Sequence, residues 1–482
     1  MSSCGSCHAL PPIHPMTLRR LLLVAAAVVL APAALAQPAT AEAVPAAEAA
    51  FQNGLASFRQ GEFAEAARLF DRAAEAFGYN ERTTAATLML AKAAYGDGDV
   101  DRAVATATRL VSQYPESRYA EDARALLAQI SAGGAGGRGL PFDLGVVLPI
   151  AIDDGYLGQA LFNGIRIAVD ERNAASSGRP VRLVFRDTGG TGEGARQAVE
   201  AVVAEGADAV VGPLFSAEAG PAGAAAEAAG VALVAPLATD EAVSDGRQSV
   251  FQANPTFPAR GRAMARYAVG RLGLDRLGVA YERGTLSADM GAAFAAEARR
   301  LGATVAFEEP LANGEAWEDL DREIGAAALG GVQAVYLPVT GRDAPREAAD
   351  ALRALDALDR APRPLGNTEW EGIPAGADRN RASRLGAVFT QDFFVAPGAA
   401  DDFGRRYREL AGIGQDRLAL IGYDITRFLL AQVDADEGTL AASLREAPRF
   451  EGLGHRFLFD GGQVNEALYV LGFRDGQAVL LE

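Results

Sequence analysis

The feature that most restricts the fold is an alternation of short apolar segments with alanine-rich helical segments, which begins at residue 142. This pattern is typical of strands that helices connect into a parallel, doubly wound sheet. The predicted strands are 143–148, 181–186, 208–211 and 231–235, and then 277–281, 303–308, 333–337 and 386–390. The predicted helices are 158–173, 193–205 and 217–229, and then 260–272, 287–300, 316–328 and 343–358. The second series starts after Asn254-Pro255-Thr256, so the sequence predicts an α/β fold of two lobes around a cleft.

An internal repeat with an offset of 37 residues precedes this region, within residues 48–130, which have a helical pattern. The recurring pairs are Gly54 with Ala91, Phe58 with Tyr95, Gly61 with Gly98, Ala66 with Ala103, Phe70 with Ala107 and Ala73 with Leu110. This resembles the tetratricopeptide repeat, whose period is about 34 residues, and residues 117–130 are predicted to form a capping helix. Such modules are normally binding or oligomerisation surfaces, which predicts a protein partner; a helical hairpin without a partner is the alternative.

Residues 131–139 are rich in glycine and are predicted to be a flexible linker to an α/β domain that spans residues 140–482. The linker contains Gly134-x-Gly136-x-x-Gly139, which has the spacing of a dinucleotide-binding fingerprint. A functional fingerprint follows a strand and opens a helix, whereas this segment follows a helix and precedes a strand, so we interpret it as linker only.

The first 36 residues have the pattern of an export signal. Arg19 and Arg20 precede an apolar run at 21–30, and Ala34-Leu35-Ala36 is a small-x-small cleavage site. The run is shorter than the roughly 20 residues that a spanning helix needs, and a retained membrane anchor is the alternative. We therefore expect cleavage after Ala36 and a soluble periplasmic protein.

A haem-attachment spacing, Cys4-x-x-Cys7-His8, lies before this signal. Haem attachment takes place after export, whereas this segment stays on the cytoplasmic side and is removed. We interpret residues 1–15 as an over-extended reading frame, with Met16 as the true start.

The exported chain has few side chains for catalysis. Beyond Ala36 it has no cysteine, one histidine (His455) and one lysine (Lys92). Disulfides, thiolate nucleophiles and Cys/His zinc sites are thereby excluded, and a Ser-His-Asp triad would have to use His455, which no G-x-S-x-G elbow accompanies. The full sequence has 45 basic and 62 acidic residues, and its formal charge of −17 opposes binding to nucleic acid. We expect no enzyme activity, no metal and no cofactor.

Several segments of the α/β domain carry a family resemblance. They are Gly145-Val-Val-Leu-Pro149, Asn163-Gly164, Asp170-Glu-x-Asn173, Val210-Val-Gly212-Pro-Leu-Phe-Ser216, Val234-Ala-Pro236-Leu-Ala-Thr239, Gly422-Tyr423-Asp424 and Phe457-Leu-Phe459-Asp460. In this order they resemble the type I periplasmic solute-binding proteins, the leucine/isoleucine/valine-binding receptors of ABC transporters. The resemblance implies a two-lobed type I periplasmic-binding-protein fold. It also implies a small amino-acid-like ligand in the cleft and delivery to the membrane subunits of an ABC transporter.

The resemblance further implies the residues of the ligand site. In the first lobe of this family, hydroxyls and backbone N–H groups at helix N-termini hold the ligand carboxylate; Ser216 and Thr239 occupy such positions, and Leu237 lines the pocket. A plain helix cap is the alternative role for both hydroxyls. In the second lobe the family uses a tyrosine and an acid that pairs with the ligand ammonium. Leu286 stands at the tyrosine position, and Glu369 is the candidate acid.

A second hypothesis follows from the combination of helical repeats with a receptor-like domain. This combination resembles the outer-membrane activators of penicillin-binding proteins, in which the receptor-like domain serves protein–protein contact. The chain would then be a periplasmic scaffold or regulator of peptidoglycan synthesis that binds a protein partner through its repeats. Ser216 and Thr239 favour the receptor, whereas the absence of the family tyrosine at Leu286 favours the scaffold.

Overall fold

The computed structural model describes residues 43–131, 141–175, 179–433 and 439–482. The predicted signal peptide, the motif at residues 4–8 and the linker beyond Ser131 lie outside these residues. The described residues form an N-terminal helical module and two α/β lobes. In this part of the chain, no helix combines the length and the apolar character that crossing a membrane requires.

The N-terminal module of residues 43–131 is all-helical, as predicted, and each helix packs against the next. The helices are α1 (Pro45–Arg59), α2 (Phe63–Glu75), α3 (Thr83–Gly96), α4 (Val100–Gln113) and α5 (Ala120–Ser131). The turns after α1 and α3 each contain a glycine with positive φ, Gly61 at 75° and Gly98 at 83°. Glycine adopts this conformation without steric cost, so the chain reverses at equivalent places in the two repeat units.

The module packs against the first lobe through α3, most of whose residues are buried. Lys92 of α3 is 7% exposed; its Nζ lies 2.6 Å from Asp143 Oδ2 and donates a hydrogen bond to the backbone oxygen of Glu205 at 2.5 Å. Asp143 also accepts two hydrogen bonds from Arg182, whose guanidinium donates to Asp122 of α5. Lys92 and Asp122 belong to the module, and Asp143 and Arg182 to the lobe. A buried, charge-compensated network therefore joins the two parts.

The first lobe is built on an all-parallel sheet. Its strands are β1 (Phe142–Leu148), β2 (Val181–Asp187), β3 (Ala209–Val211), β4 (Ala232–Ala235) and β5 (Val250–Gln252). Their order in the sheet is β2-β1-β3-β4-β5, and the connecting helices are α6 (Gly155–Ala174), α7 (Gly192–Ala204) and α8 (Ser216–Ala229). Helices cover both faces of such a sheet, which explains why β1, β3 and β4 are buried along their whole length and, apart from Asp143, carry no charged side chain.

The second lobe repeats this topology. Its strands are β6 (Arg276–Glu282), β7 (Thr304–Leu311), β8 (Ala334–Tyr336), β9 (Arg363–Gly366), β10 (Val388–Gln391), β13 (Tyr469–Arg474) and β14 (Gln477–Leu480). Its helices are α9 (Phe257–Arg266), α10 (Leu286–Arg300), α11 (Ala326–Leu329), α12 (Ala344–Asp356) and α13 (Ala377–Leu385). The parallel strands follow the order β7-β6-β8-β9-β10, and the antiparallel β13 and β14 extend the sheet beyond β10. The predicted α/β fold with two doubly wound sheets is confirmed.

Within the described residues the chain crosses between the lobes three times. The first crossover, residues 253–256, follows β5, and the second, residues 392–400, follows β10. The elements between the second and third crossovers are α14 (Asp401–Ala411), α15 (Arg417–Gln432), α16 (Leu440–Glu446), β11 (Phe450–Glu451) and β12 (Arg456–Phe457). Of these, α14 and α15 pack on α6, and residues 458–468 then lead back to the second lobe.

The packing of α15 on α6 depends on two glycines. A Cβ atom on Gly164 of α6 would lie 1.9 Å from the backbone oxygen of Ala419, and one on Gly422 of α15 would lie 2.3 Å from the backbone oxygen of Leu161. Only glycine permits two helix backbones to approach this closely. Two distant segments that carry the family resemblance, around Gly164 and Gly422, therefore meet in the structure.

The prediction of one helix over residues 316–328 is wrong. The structure has a 3-10 helix (Gly314–Asp319), a π-helical turn (Asp321–Gly325) and the short α11 in its place. Gly325 has a φ of 91°, which is incompatible with a right-handed helix and interrupts it. Strand β9 was not predicted, because it contains Pro364 and Gly366 and both residue types are depleted in strands.

Replacing Gly164 by alanine is expected to push α6 away from α15, because the new methyl group would overlap the backbone of Ala419. Overpacking costs about 1–3 kcal/mol and sometimes more, so the free energy of unfolding in urea should fall by at least this amount. Gly270→Ala is the matched control, since Gly270 lies in the helical turn Tyr267–Arg271 that follows α9, with open space around it. That variant should be neutral or more stable by up to about 1 kcal/mol; an equal loss in both variants would contradict the steric argument.

Because Lys92 is the only lysine of the chain, amine labelling reports directly on the docking of the module. In the native protein, reductive methylation followed by peptide mass spectrometry should leave Lys92 largely unmodified. Asp143→Asn removes the carboxylate that compensates Lys92 and Arg182, and should cost about 3–5 kcal/mol and accelerate labelling. Asp101→Asn, at an exposed position of α4, is the control and should change neither quantity. Rapid labelling of the native protein would contradict a docked module.

Candidate ligand-binding site

Both lobes place loops at the topological switch point of a sheet, where neighbouring strands connect in opposite directions. This point lies between β1 and β3 in the first lobe and between β6 and β8 in the second. In such sheets, ligands bind in the crevice outside the carboxyl ends of the strands. The predicted site residues follow these ends: Ser216 comes after β3, Leu237 and Thr239 after β4, Leu286 after β6, and Glu369 after β9.

Ser216 connects two loops of the first lobe. It is the first residue of α8, and its Oγ accepts hydrogen bonds from the backbone N–H groups of Thr239 at 3.1 Å and Asp240 at 3.2 Å. Ser216, Leu237 and Thr239 are all half-buried, and the N–H of Leu237 donates to the backbone oxygen of Leu214 in the loop before α8 at 3.1 Å. The structure thus brings the three predicted first-lobe residues together. The hydroxyl proton of Ser216 and the first N–H groups of α8 are the donors that an anion at this point would meet.

Apolar side chains surround these loops. Ile152 is 38% exposed, Tyr156 is 65% exposed and Phe215 is 46% exposed. Ile152 lies in the loop after β1, which is held in place because the N–H of Ala151 donates to the Asp187 carboxylate at 2.7 Å. A few polar groups among exposed apolar side chains are typical of a ligand cleft.

Leu286 begins α10 in the second lobe and is 46% exposed. The preceding Thr285 caps the helix by accepting a hydrogen bond from the N–H of Ser287 at 3.2 Å. The buried Ser287 hydroxyl accepts from the N–H of Glu282 at 3.1 Å and donates to the backbone oxygen of Pro338. A serine therefore links neighbouring loops in this lobe as Ser216 does in the first.

Glu369 is the exposed residue of a loop whose neighbouring residues are anchored. The Asn367 side chain donates to the backbone oxygen of Val339 at 2.8 Å and accepts from its N–H at 3.1 Å. The Thr368 hydroxyl accepts from Arg260 at 2.7 Å, and the indole N–H of Trp370 donates to a backbone oxygen at 3.2 Å. This anchoring holds the backbone at Glu369 in one place, whereas the residue itself is exposed.

Near this loop, buried charges join the first two crossovers. Asp392 is 7% exposed; its Oδ2 accepts from Arg260 at 2.7 Å and its Oδ1 from Arg417 at 2.6 Å. Burial by itself would raise the pKa of Asp392, but the two guanidinium groups outweigh burial and hold that pKa well below its usual range.

Burial raises the pKa of Glu369, although the charges of Arg260 and Arg417 counteract this and the charge of Asp392 adds to it. Glu369 thus lies close to both arginines. Among the described residues, however, no cation comes within ion-pair distance of its carboxylate. The carboxylate is available for an ammonium group of a ligand.

Sequence reasoning missed Arg260 as a part of this region. Arg260 lies in a helix of ordinary composition, 132 positions from its partner Asp392. Asp392 directly follows a buried strand, which is the one local signal that marks it as a polar residue at a carboxyl edge.

His455 is a packing residue. It is 4% exposed, and its Nδ1 lies 3.2 Å from Asp424, whose carboxylate also accepts backbone N–H groups of Leu453, Gly454 and His455. Its ring packs 5.0 Å from that of Phe393. The interpretation of this histidine as structural rather than catalytic fits these contacts.

The sequence profile of periplasmic binding proteins matches residues 141–478, which include both lobes. The chain belongs to the periplasmic binding protein family. The match begins after α5, so the helical module of this binding protein is outside it. Members of the family are solute-binding proteins, and membership implies a periplasmic or extracellular location.

Solved structures of other binding proteins have the same fold. One from Rhodospirillum rubrum, provisionally assigned to branched-chain amino acid ABC transport, is 24% identical with a TM-score of 0.58, covering 71% of this chain and 100% of its own. An ABC transporter substrate-binding protein from Desulfitobacterium hafniense in complex with Leu is 22% identical with a TM-score of 0.50, at the same coverage of 71% and 100%. These likenesses confirm the predicted type I fold. No curated protein matches the chain.

Asp392→Asn is expected to destabilise the binding protein by about 3–5 kcal/mol at pH 7, because two arginines lose their buried counter-charge. The pKa of Asp392 is lower in the folded protein than in the unfolded chain, so its ionised form stabilises the fold above about pH 4, and this contribution is lost as the pH falls below that value. The difference between variant and wild type in urea unfolding should therefore shrink towards pH 2. Asp359→Asn, at an exposed position, is the control and should stay within about 0.5 kcal/mol of wild type.

Proposed function

We propose that the chain is a periplasmic substrate-binding receptor of an ABC-type transport system and binds a small amino-acid-like ligand between its lobes. The observation that carries this proposal is the placement of all five predicted site residues at the carboxyl edges of two doubly wound sheets. Three crossovers join these sheets, and connections of this kind permit hinge closure around a ligand.

In the proposed site, the ligand carboxylate lies at the N-terminus of α8. The Ser216 hydroxyl and the Thr239 hydroxyl donate to it, and the helix dipole adds a favourable field. The side chain of the ligand contacts Leu237 and Leu286, with the exposed apolar side chains of the first lobe around them. Glu369 accepts the ammonium group from the second lobe. Contacts from both lobes make the closed form more favourable when the ligand is present.

The alternative of a scaffold for peptidoglycan synthesis gains no support from the family match or from the solved structures. The packing of the module also bears on that alternative. Most of α3 is covered by its neighbours and by the first lobe, so a protein partner of the repeats would have to bind the outer faces of α2 and α4.

Alanine substitution of Ser216 or of Thr239 should weaken ligand binding by about ten- to a hundredfold. A hydrogen bond to a charged group is worth about 1.5–3 kcal/mol, and about 1.4 kcal/mol is a factor of ten in affinity. Glu369→Gln should cause a similar loss for ligands with an ammonium group. Isothermal titration calorimetry with a panel of amino acids measures these affinities.

Ser443→Ala is the control for this series, because Ser443 lies on α16 of the first lobe, away from the switch point. It should bind the ligand as the wild type does. If the wild type binds no amino acid of the panel, the proposed function is wrong. If binding occurs but the three site variants retain wild-type affinity, the ligand occupies another place.

A further inference from the structure

The Arg260 side chain connects three segments of the ligand region. Its Nε donates to the backbone oxygen of Pro255 at 3.2 Å, and its Nη2 donates to Asn254 Oδ1 at 3.0 Å and to Asp392 Oδ2 at 2.7 Å. Its Nη1 donates to Thr368 Oγ1 at 2.7 Å. One buried guanidinium, on a residue only 7% exposed, therefore contacts the first crossover, the second crossover and the Glu369 loop.

The chain of hydrogen bonds continues into the first lobe. The Nδ2 of Asn254, whose Oδ1 accepts from Arg260, donates to the backbone oxygen of Leu237 at 3.3 Å. An uninterrupted series thus runs from Thr368, which precedes Glu369, through Arg260 and Asn254 to Leu237. It joins the second-lobe half of the site to the first-lobe half through the hinge.

We propose that Arg260 is a positioning residue that sets the two halves of the ligand site relative to each other. This proposal rests on the proposed function. Arg260 does not contact the ligand, because its side chain is buried and four of its five N–H groups donate within the protein. It acts by fixing Thr368, and with it the direction of the Glu369 carboxylate, against the two crossovers about which the lobes move.

The proposal requires that only one group of the ligand depends on Arg260. Glu369 pairs with the ammonium, whereas Ser216 and Thr239 hold the carboxylate from the other lobe. A disturbed Arg260–Thr368 bond should therefore weaken binding of an amino acid and spare an analogue without the amino group. A role in overall stability alone would weaken both ligands equally.

Thr368→Val is the variant that tests this, because it keeps the shape of the side chain and removes only the oxygen that accepts from Arg260. Arg260→Lys is the second variant; it keeps the positive charge beside Asp392 but cannot reach all four acceptors. Thr304→Val is the matched control, at an exposed position at the start of β7. Full removal of Arg260 is avoided because it would leave Asp392 with less compensation and compromise folding.

The first measurement needs no ligand. Hydrogen–deuterium exchange of the intact protein should show faster exchange in residues 367–372 for Thr368→Val and Arg260→Lys, and unchanged exchange for Thr304→Val. Unchanged exchange in both test variants would overturn the positioning role, whatever the ligand is.

The second measurement compares L-leucine with 4-methylpentanoate, which is leucine without its amino group, by calorimetry. Thr368→Val should weaken leucine binding by about tenfold, a loss of about 1.4 kcal/mol, and change 4-methylpentanoate binding by less than half of that free energy. Equal losses for the two ligands would overturn the proposal. If the wild type binds neither compound, the proposed binding of a leucine-like ligand is wrong. The hydrogen–deuterium exchange measurement alone then decides whether Arg260 positions the Glu369 loop.

Discussion

Asp392 is the carboxylate on which the junction of the lobes depends. A buried charge without compensation is strongly destabilising, so its ionised state requires nearby cations. Arg260 comes from α9 of the second lobe and Arg417 from α15, which packs on the first lobe. One acid on the second crossover therefore holds helices of both lobes, and the charges are satisfied in only a narrow range of lobe arrangements.

The loops of the candidate site are held before any ligand arrives. Ser216 and Ser287 each tie one loop to the next, and Asp187 holds the loop after β1. In the second lobe, the neighbours of Glu369 are anchored by side chains. Ordering loops on binding costs free energy, and a site that is ordered beforehand avoids most of this cost.

The sequence was sufficient for the architecture and for part of the site. Short apolar segments located β1 to β4, β6 to β8 and β10, and β3, β4 and β8 show the continuous apolar run of parallel strands that are buried on both faces. The family resemblance, together with the strand–turn–helix context of Ser216 and Thr239, made these two residues candidates. The link between Arg260 and Asp392 could not be predicted, since no local pattern reports a contact across 132 positions. Glu369 was a candidate from the resemblance alone, and the anchoring of its loop became visible only through the contacts of Asn367 and Trp370 with the segment that follows β8.

The docking of the helical module on the first lobe could not be predicted from the sequence either. A glycine-rich linker suggests two independent parts, yet Lys92 is the only charged residue of α3 and its apolar residues are not confined to one side, which is the pattern of a helix enclosed by other elements. Lys92 contacts Asp143 and Glu205, which are 51 and 113 positions away, so no local pattern indicates which surface encloses α3. Local patterns predict that a helix is buried, whereas tertiary contacts determine the surface against which it packs.

The place where the module attaches has a mechanical consequence. Lys92 contacts the first lobe at the start of β1 and the end of α7, whereas Ser216 and Thr239 lie at the opposite ends of the strands. Any rotation of one lobe about the crossovers therefore leaves the module stationary in the frame of the first lobe. A molecule bound to the outer surface of α2 or α4 would keep a constant distance from Ser216 while the lobes open and close. Its attachment there would not oppose the rotation of the second lobe.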